Sequence, residues 1–370
     1  MRIRGQQRRT LEVGPDGWCV EILDQTRLPF EVVVRELRSL ADAAEAIASM
    51  RVRGAPLIGV TAAYGLCLQL REDASDAALE SACKDLLATR PTAVNLAAAL
   101  DAMRAALREL PPRERVAAAY AAAARLADAD VETNRALGLH GLRLLEAAAE
   151  RADPGAPVNV LTHCNAGALA TIDLGTALAP VYLAHDRGQA VHVWVSETRP
   201  RNQGSLLTAF ELGEHGVPHT VIADNAAGHL IQRGRVDLCL VGTDRTTAAG
   251  DVCNKIGTYL KALAAREGGV PFYVALPSSS IDWTLRDGAE IPIEERPAHE
   301  LGFVSGRTPD GRVVEVRIEP DASPSANPAF DVTPARLVTA LVTERGVCPA
   351  SAEGLLTLFP ERRSPRDAAG

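Results

Sequence analysis

Five short stretches hold the residues whose types could do chemistry. The first, "THCNAG", places Cys164 where the apolar run 158–161 ends and the chain turns helical again. A thiol there has two readings. It is a small buried side chain, as free cysteines often are, or a reactive one, because a helix N-terminus favours thiolate over thiol. "SETRPRNQG" supplies Glu197, Arg199 and Gln203, and "ADNAAG" and "ALPSSSID" are further polar junctions. "GTDRTTAAGDVCNKIG" supplies Asp244, Asn254 and Lys255. Asp244 suits proton transfer, but it could also cap a helix or pair with Arg245. Lys255 near a helix start sets a cation against the helix dipole, a conflict that a phosphate or another anion relieves. Arg53, in the Gly-Pro loop of "RVRGAPLIG", suits anion binding before a helix. His163 reads as a satisfied strand-end histidine rather than a base.

The elements that must position these residues follow from the pattern around them. Apolar runs "VNVLTH", "AVHVWVSE", "PHTVIAD", "VDLCLVGTD" and "VPFYVALP" alternate with helical segments such as "LATIDLGTALAPVYLAHDRG" and "NKIGTYLKALAAREGG". That alternation predicts a parallel sheet with helices on both faces. Gly216 and Gly234 fall where helices should stop before the next strand. In such sheets ligands sit at the carboxyl ends of the strands. Turn chemistry accounts for the Gly, Asn and Pro of these junctions. It does not account for Cys164, Glu197, Arg199, Gln203, Asp244, Asn254 and Lys255 meeting at one rim, so a shared site is favoured.

Before this region the chain reads differently. Strand-like "WCVEILD" and "FEVVVREL" precede long helical stretches, Ala-rich from 113 to 151, and "ADPGAPVN" reads as a joint. The expected fold class is therefore α/β, in two domains. Residues 1–155 form a smaller, mainly helical domain with short strands, and residues 156–370 a Rossmann-like, doubly wound parallel sheet. No G-x-G-x-x-G follows a strand, which argues against a dinucleotide. The tails 1–9 and 361–370 are expected to fray.

Bulk properties exclude several functions. The 370 residues suffice for two cores, and 47% hydrophobic with 23% charged residues is ordinary globular composition. The net charge is −8, and only "RIRGQQRR" is a basic run, which speaks against nucleic acid as a partner. That run has no apolar h-region after it, so it is not read as a signal peptide. No stretch approaches the roughly 20 apolar residues of a membrane span, and a cytoplasmic protein is expected. Seven scattered cysteines without C-x-x-C, and eight dispersed histidines, suggest neither disulfides nor a metal. Neither a serine nucleophile elbow nor a P-loop occurs, which weakens hydrolase and kinase readings.

Six segments taken together resemble one family. "RVRGAPLIG", "RPTAVNL", "LTHCNAGALAT", "ETRPRNQGSLLTAFEL", "GTDRTTAAGDVCNKIGTY" and "IDWTLRDGAEIPIEER" are similar, in order, to the methylthioribose-1-phosphate isomerase family of methionine salvage. That family is related to the regulatory subunits of a translation-initiation guanine-nucleotide exchange factor. The resemblance implies an aldose–ketose isomerase acting on 5-methylthioribose 1-phosphate, with neither metal nor organic cofactor, as a homodimer. It places the reactive cysteine on Cys164 and the acid–base carboxylate on Asp244. It places substrate contacts on Arg53, Gly54, Ala55, Arg90, Gln203, Asn254 and Lys255.

The chain departs from the family pattern at Ser196, Arg201, Asn202, Thr243 and Cys253, where Asp, an apolar pair, Ala and Ala are usual. A more polar loop beside Gln203 leaves open related substrates, 5-deoxyribose 1-phosphate or ribose 1,5-bisphosphate. The reading from another class is a noncatalytic regulatory subunit that binds a sugar phosphate or nucleotide. Such a subunit would have no need of both Cys164 and Asp244.

Overall fold

The computed structural model describes residues 1–91 and 93–363; Thr92 and the last part of the expected C-terminal tail, 364–370, lie outside them. The strands Leu11–Val13, Val20–Leu23 and Val34–Leu37 form an antiparallel sheet. Five helices follow: α1 (Leu40–Ala48), α2 (Ala55–Glu72), α3 (Asp76–Thr89), α4 (Val94–Leu107) and α5 (Pro112–Ala149). Ser39 and Asp42 close a capping box at the start of α1. α2 is buried on nearly every face, from Leu57 through Leu68, as a helix apolar all round must be. Gly54 and Pro56 do interrupt the chain here, because Gly54 caps α2 at φ +97° and Pro56 occupies its first turn.

The Ala-rich stretch is one helix of 38 residues. Its first half puts Ala119, Ala122, Ala123 and Ala127 into the helical core around α2. Its second half puts Leu137, Leu142, Leu145 and Ala148 into the core beneath the large sheet. Gly138 and Gly141 let it approach Ala179 and Pro180 of α6 (Ala179–Asp186), where a Cβ would collide.

The large sheet has seven strands, in the order Gly346–Cys348, Ala340–Thr343, Phe272–Ala275, Leu238–Val241, Val158–Thr162, Val191–Ser196 and His219–Ile222. All neighbours are parallel except the final pair, Ala340–Thr343 with Gly346–Cys348. The chain starts at Val158–Thr162, winds one way through His219–Ile222, then returns to Leu238–Val241 and winds the other way. This is the expected doubly wound, Rossmann-like sheet, and its order reverses between Val158–Thr162 and Leu238–Val241. α7 (Ala209–His215), α8 (Ala226–Gln232) and α9 (Thr258–Glu267) are among its covering helices.

Three local expectations are corrected. The stretch after Gly167 is not one helix, but a 3-10 turn at Ala168–Ala170, a bridge from Gly167 to Gly175, and then the short α6. The N-terminal residues are not frayed. Met1 and Ile3 are buried with Leu23, Leu169 and Leu207, and the Met1 ammonium pairs with Asp173. The segment after Leu238–Val241 is a hairpin rather than a junction. Its strands, Arg245–Thr247 and Val252–Lys255, join Ile281–Asp282 and Phe330–Thr333 in a separate four-stranded sheet. Lys255 thus ends a strand before α9, outside the first turn where it would oppose the dipole. No helix among the described residues is long and apolar enough to cross a membrane.

Candidate active site

The crevice of a doubly wound sheet opens where strand order reverses, and both expected chemical groups stand there. Cys164 follows Val158–Thr162, and Asp244 follows the adjacent strand Leu238–Val241. They line one cleft together with Arg53, Gly54, Ala55, Arg90, Gln203, Asn254 and Lys255. Every site residue that the family resemblance implies is therefore in one place, brought there by five separate segments. Glu197 and Arg199, expected at the same rim, are not among the lining residues: Arg199 donates to the carbonyls of Pro200 and Leu301 at 2.8 and 2.5 Å.

Cys164 has φ +64°, an uncommon conformation for a residue with a side chain. It is held by its N–H, which donates to Thr198 Oγ1 at 2.9 Å, and by its carbonyl, which accepts from Thr208 Oγ1 at 2.7 Å. Of the seven free cysteines it is the one that is not buried. Burial among protein groups nevertheless pushes its thiol above the ordinary value, while Arg53 and then Lys255 pull it down. Burial likewise raises the Asp244 carboxyl, opposed by Lys255, Arg53 and Arg90. Both groups are thus biased toward holding a proton. His163 is as expected for a satisfied residue. Its Nε2 lies 2.8 Å from the Ile256 carbonyl, and burial lowers it to about 3.

The cations surround these two groups. Arg53 is 5% exposed, and both its Nη atoms donate to the Asn165 carbonyl and to Asn165 Oδ1, at 2.5–3.0 Å. Burial draws its guanidinium below the usual arginine value. Lys255 is buried with Nζ 4.8 Å from the Phe330 ring centre. Arg90, at the end of α3, reaches Glu294 at 3.5 Å. Gly54 lets the N-terminus of α2 approach Ala170, whose backbone a Cβ would strike. Asn254 donates to Thr258 Oγ1 at 3.0 Å. Gln203 is buried, and its Oε1 has no hydrogen-bond partner. A buried acceptor of that kind is costly unless something donates to it.

Sequence reasoning missed a supporting set. Asn165, Thr198, Thr208 and Glu211 hold the Cys164 loop and Arg53 in place. A chain of ion pairs also bridges the cleft, from Arg90 to Glu294, Arg296, Glu300 and Arg201. No spacing signal ties Glu294, Arg296 and Glu300, neighbours in sequence, to Arg90 and Arg201, which lie 204 and 99 positions from their partners. The partners of the supporting set are likewise tens of positions away. Of the departures, Ser196 is buried away from the cleft, whereas Arg201, Thr243 and Cys253 line it. Ser196 donates to Asp224 at 2.5 Å, and Thr243 Oγ1 to the carbonyls of Arg245 and Cys253 at 2.8 and 2.9 Å. Among the described residues no group of three or more His, Cys, Asp or Glu could hold a metal.

Sequence and fold together match proteins already known. The model of the Initiation factor 2 subunit family matches residues 51–350, and the chain belongs to that family. Within it, the methylthioribose-1-phosphate isomerase of Methylorubrum populi is 63% identical over 98% of this chain and 99% of its own. That of Sinorhizobium medicae is 61% identical over 98% and 100%. The 5-methylthioribose 1-phosphate isomerase from Pyrococcus horikoshii superposes with a TM-score of 0.83 at 40% identity, covering 96% of this chain and 97% of that one. A protein solved as translation initiation factor eIF-2B, subunit delta, from A. fulgidus gives 0.80 at 39%, covering 96% and 100%. The chain is thus a member of the methylthioribose-1-phosphate isomerase family, and so an enzyme of the aldose–ketose isomerase type.

Proposed function

We propose that this chain interconverts 5-methylthioribose 1-phosphate and 5-methylthioribulose 1-phosphate, with Cys164 and Asp244 as its acid–base pair. The observation that carries the reading is the placement of Cys164 and Asp244 on adjacent strand ends at the sheet's reversal, inside a cleft flanked by Arg53, Arg90 and Lys255.

The chemistry suits those groups. A sugar phosphorylated on its anomeric oxygen cannot open as a free hemiacetal, so a proton must reach the ring oxygen. A carboxyl that keeps its proton above the ordinary range can supply it, then take one from the 2-hydroxyl as the carbonyl forms. Hydrogen must also pass from C2 to C1. Cys164 is the group placed to handle it as a proton, or to flank C1 and C2 if it moves as hydride. Arg53, Arg90, Lys255 and the first-turn N–H groups of α2 offset the phosphate. Gln203 Oε1 and Asn254 receive and orient sugar hydroxyls.

The methylthio group finds apolar neighbours in Met50, Ile58, Val94 and Ile291, which line the same cleft. A second phosphate at position 5 would sit among those apolar side chains, and to reach Arg201 it would have to displace Glu300, which accepts from that arginine at 2.8 Å. This favours the methylthio sugar over ribose 1,5-bisphosphate. The isomerase names of the most similar relatives favour catalysis over a purely regulatory role. A homodimer, a cytoplasmic setting, independence from cofactors and the division at residue 155 belong to the same proposal and rest on the resemblance and the sequence.

The test is steady-state isomerisation of three sugars: 5-methylthioribose 1-phosphate, 5-deoxyribose 1-phosphate and ribose 1,5-bisphosphate. The highest kcat/KM is expected for the first. A higher value for another sugar reassigns the substrate, and no turnover of any returns the regulatory reading.

A further inference from the structure

We infer that Glu211 is a positioning residue for the reaction, acting through Asn165 on the Arg53 guanidinium and on the loop that carries Cys164. The inference rests on the reading of Arg53 as a phosphate ligand.

Glu211 lies on α7, 2% exposed, and is not among the residues that line the cleft. Its Oε1 accepts from Asn165 Nδ2. Its Oε2 accepts from the Ala168 N–H at 2.7 Å and the Tyr182 hydroxyl at 3.0 Å. Gly167 passes so close above the carboxylate that any Cβ there would strike it. The glycine in "CNAG" is therefore needed to seat the loop on Glu211.

Asn165 is what the carboxylate orients. Its Nδ2 faces Glu211 and Thr208 Oγ1, the latter at 3.1 Å, while its Oδ1 faces both Nη atoms of Arg53 at 2.9 and 2.7 Å. One amide thus separates a buried guanidinium from a buried carboxyl, oxygen toward the first and nitrogen toward the second. Burial raises that carboxyl, and the donors from Asn165, Tyr182 and Ala168 oppose the rise. Thr208 extends the arrangement by donating to the Cys164 carbonyl at 2.7 Å. Asn165 and Ala168 each present an N–H to Glu211, one to each oxygen, so the site calls for a group that only accepts.

That requirement makes the nearest isostere a sharp probe. In Glu211→Gln the new NH₂ must face either the Ala168 N–H or the Asn165 NH₂. The second choice flips Asn165 and turns its NH₂ onto Arg53. In the double variant N165D/E211Q the polarity is exchanged instead. The carboxylate introduced at position 165 accepts from both Arg53 and the amide introduced at position 211, which restores the leg that orients Arg53. Thr208 Oγ1, now facing an acceptor in place of Asn165 Nδ2, shares its one proton between that carboxylate and the Cys164 carbonyl.

The experiment is steady-state kinetics on 5-methylthioribose 1-phosphate for wild type, E211Q, N165D and N165D/E211Q. E211Q is expected to lose on the order of 10²-fold in kcat/KM, mainly through KM, because a displaced phosphate ligand misplaces the whole sugar. N165D alone, facing Glu211, loses as much, and the double variant recovers most of the loss. A merely structural role predicts no such recovery. E211Q at the wild-type kcat/KM, or a double variant no better than E211Q, overturns the inference. If E211Q does not fold, the double variant decides: folded and active supports the relay, unfolded or inactive overturns it. Wild-type protein that turns over no sugar 1-phosphate overturns the functional reading itself, before any variant is compared.

Discussion

Ser196 Oγ donates to Asp224 Oδ1 at 2.5 Å, and the Thr198 and Arg199 N–H groups bind the same carboxylate at 2.8 and 2.7 Å. The serine is fully buried and belongs to the support of the "ETRP" turn, not to the cleft wall. Ser196→Ala should therefore cost about 1.5–3 kcal/mol, as loss of a hydrogen bond to a charged group does. The ratio of kcat/KM between 5-substituted sugars should stay unchanged. Denaturant unfolding measures the first effect, and competition between two sugars the second. A shifted sugar preference would put Ser196 back in the substrate pocket.

Gly54 combines φ +97° with a backbone approach to Ala170 that leaves no room for a methyl group. Gly54→Ala should destabilise the fold by about 1–3 kcal/mol, the usual strain of such a conformation, and the collision adds to it. It should also raise KM, because the first turn of α2 is pushed away from the phosphate. Thermal melts and kinetics on the same preparation check both. An unchanged KM would remove α2 from the phosphate site.

The Cys164 thiol is held up first by burial, and Arg53 and then Lys255 pull it back. Alkylation by iodoacetamide should thus select Cys164 over the six buried cysteines. Its rate should rise with pH to a midpoint above the ordinary value of 9.0. Lys255→Met removes a cation and should move that midpoint higher still. A midpoint below 9 would mean that Arg53 and Lys255 outweigh burial, contrary to the environment described.

Glu300 is held down to about 2, although burial alone would raise it, because Arg296 and Arg201 bind its ionised form. A depressed carboxylate contributes stability that is present above its unfolded value of 4.5 and is lost as pH falls toward 2. Arg201→Ala weakens that pairing, so the variant should be less stable than wild type at pH 7, the gap should close as pH falls toward 2, and its acid-unfolding midpoint should lie at higher pH than wild type. Circular dichroism across the acid range tests this; coincident acid curves would contradict it.

The sheet was legible because its strands are short apolar runs between helical ones. Their order was not, because which strands become neighbours is set by tertiary packing and leaves no mark within a strand. Part of the cleft lining was legible because three strand ends carried Cys164, Gln203 and Asp244, types that turn chemistry does not ask for. Glu197 and Arg199 at the same rim fall outside the lining, and Gly54, Ala55 and Arg90 came from the family resemblance. Other features left no local trace. The strands Arg245–Thr247 and Val252–Lys255 are too short and too polar to stand out from a loop. Glu211 sits in "FELGEHG" like any helix-surface acid, and only the tertiary fold reveals that it faces Asn165. Met1 looks like the start of a loose tail until Asp173 and the pocket of Leu23 and Leu207 are seen around it.

The central claim is that Cys164 and Asp244 form one catalytic pair on the sugar. Its most direct test is single-turnover isomerisation by Cys164→Ser and Asp244→Asn, with binding of 5-methylthioribose 1-phosphate measured by calorimetry on the same proteins. The account predicts substrate binding close to wild type and turnover reduced by about 10²–10⁴-fold in each variant, the usual worth of a positioned acid or base. Either variant turning over at the wild-type rate would contradict it.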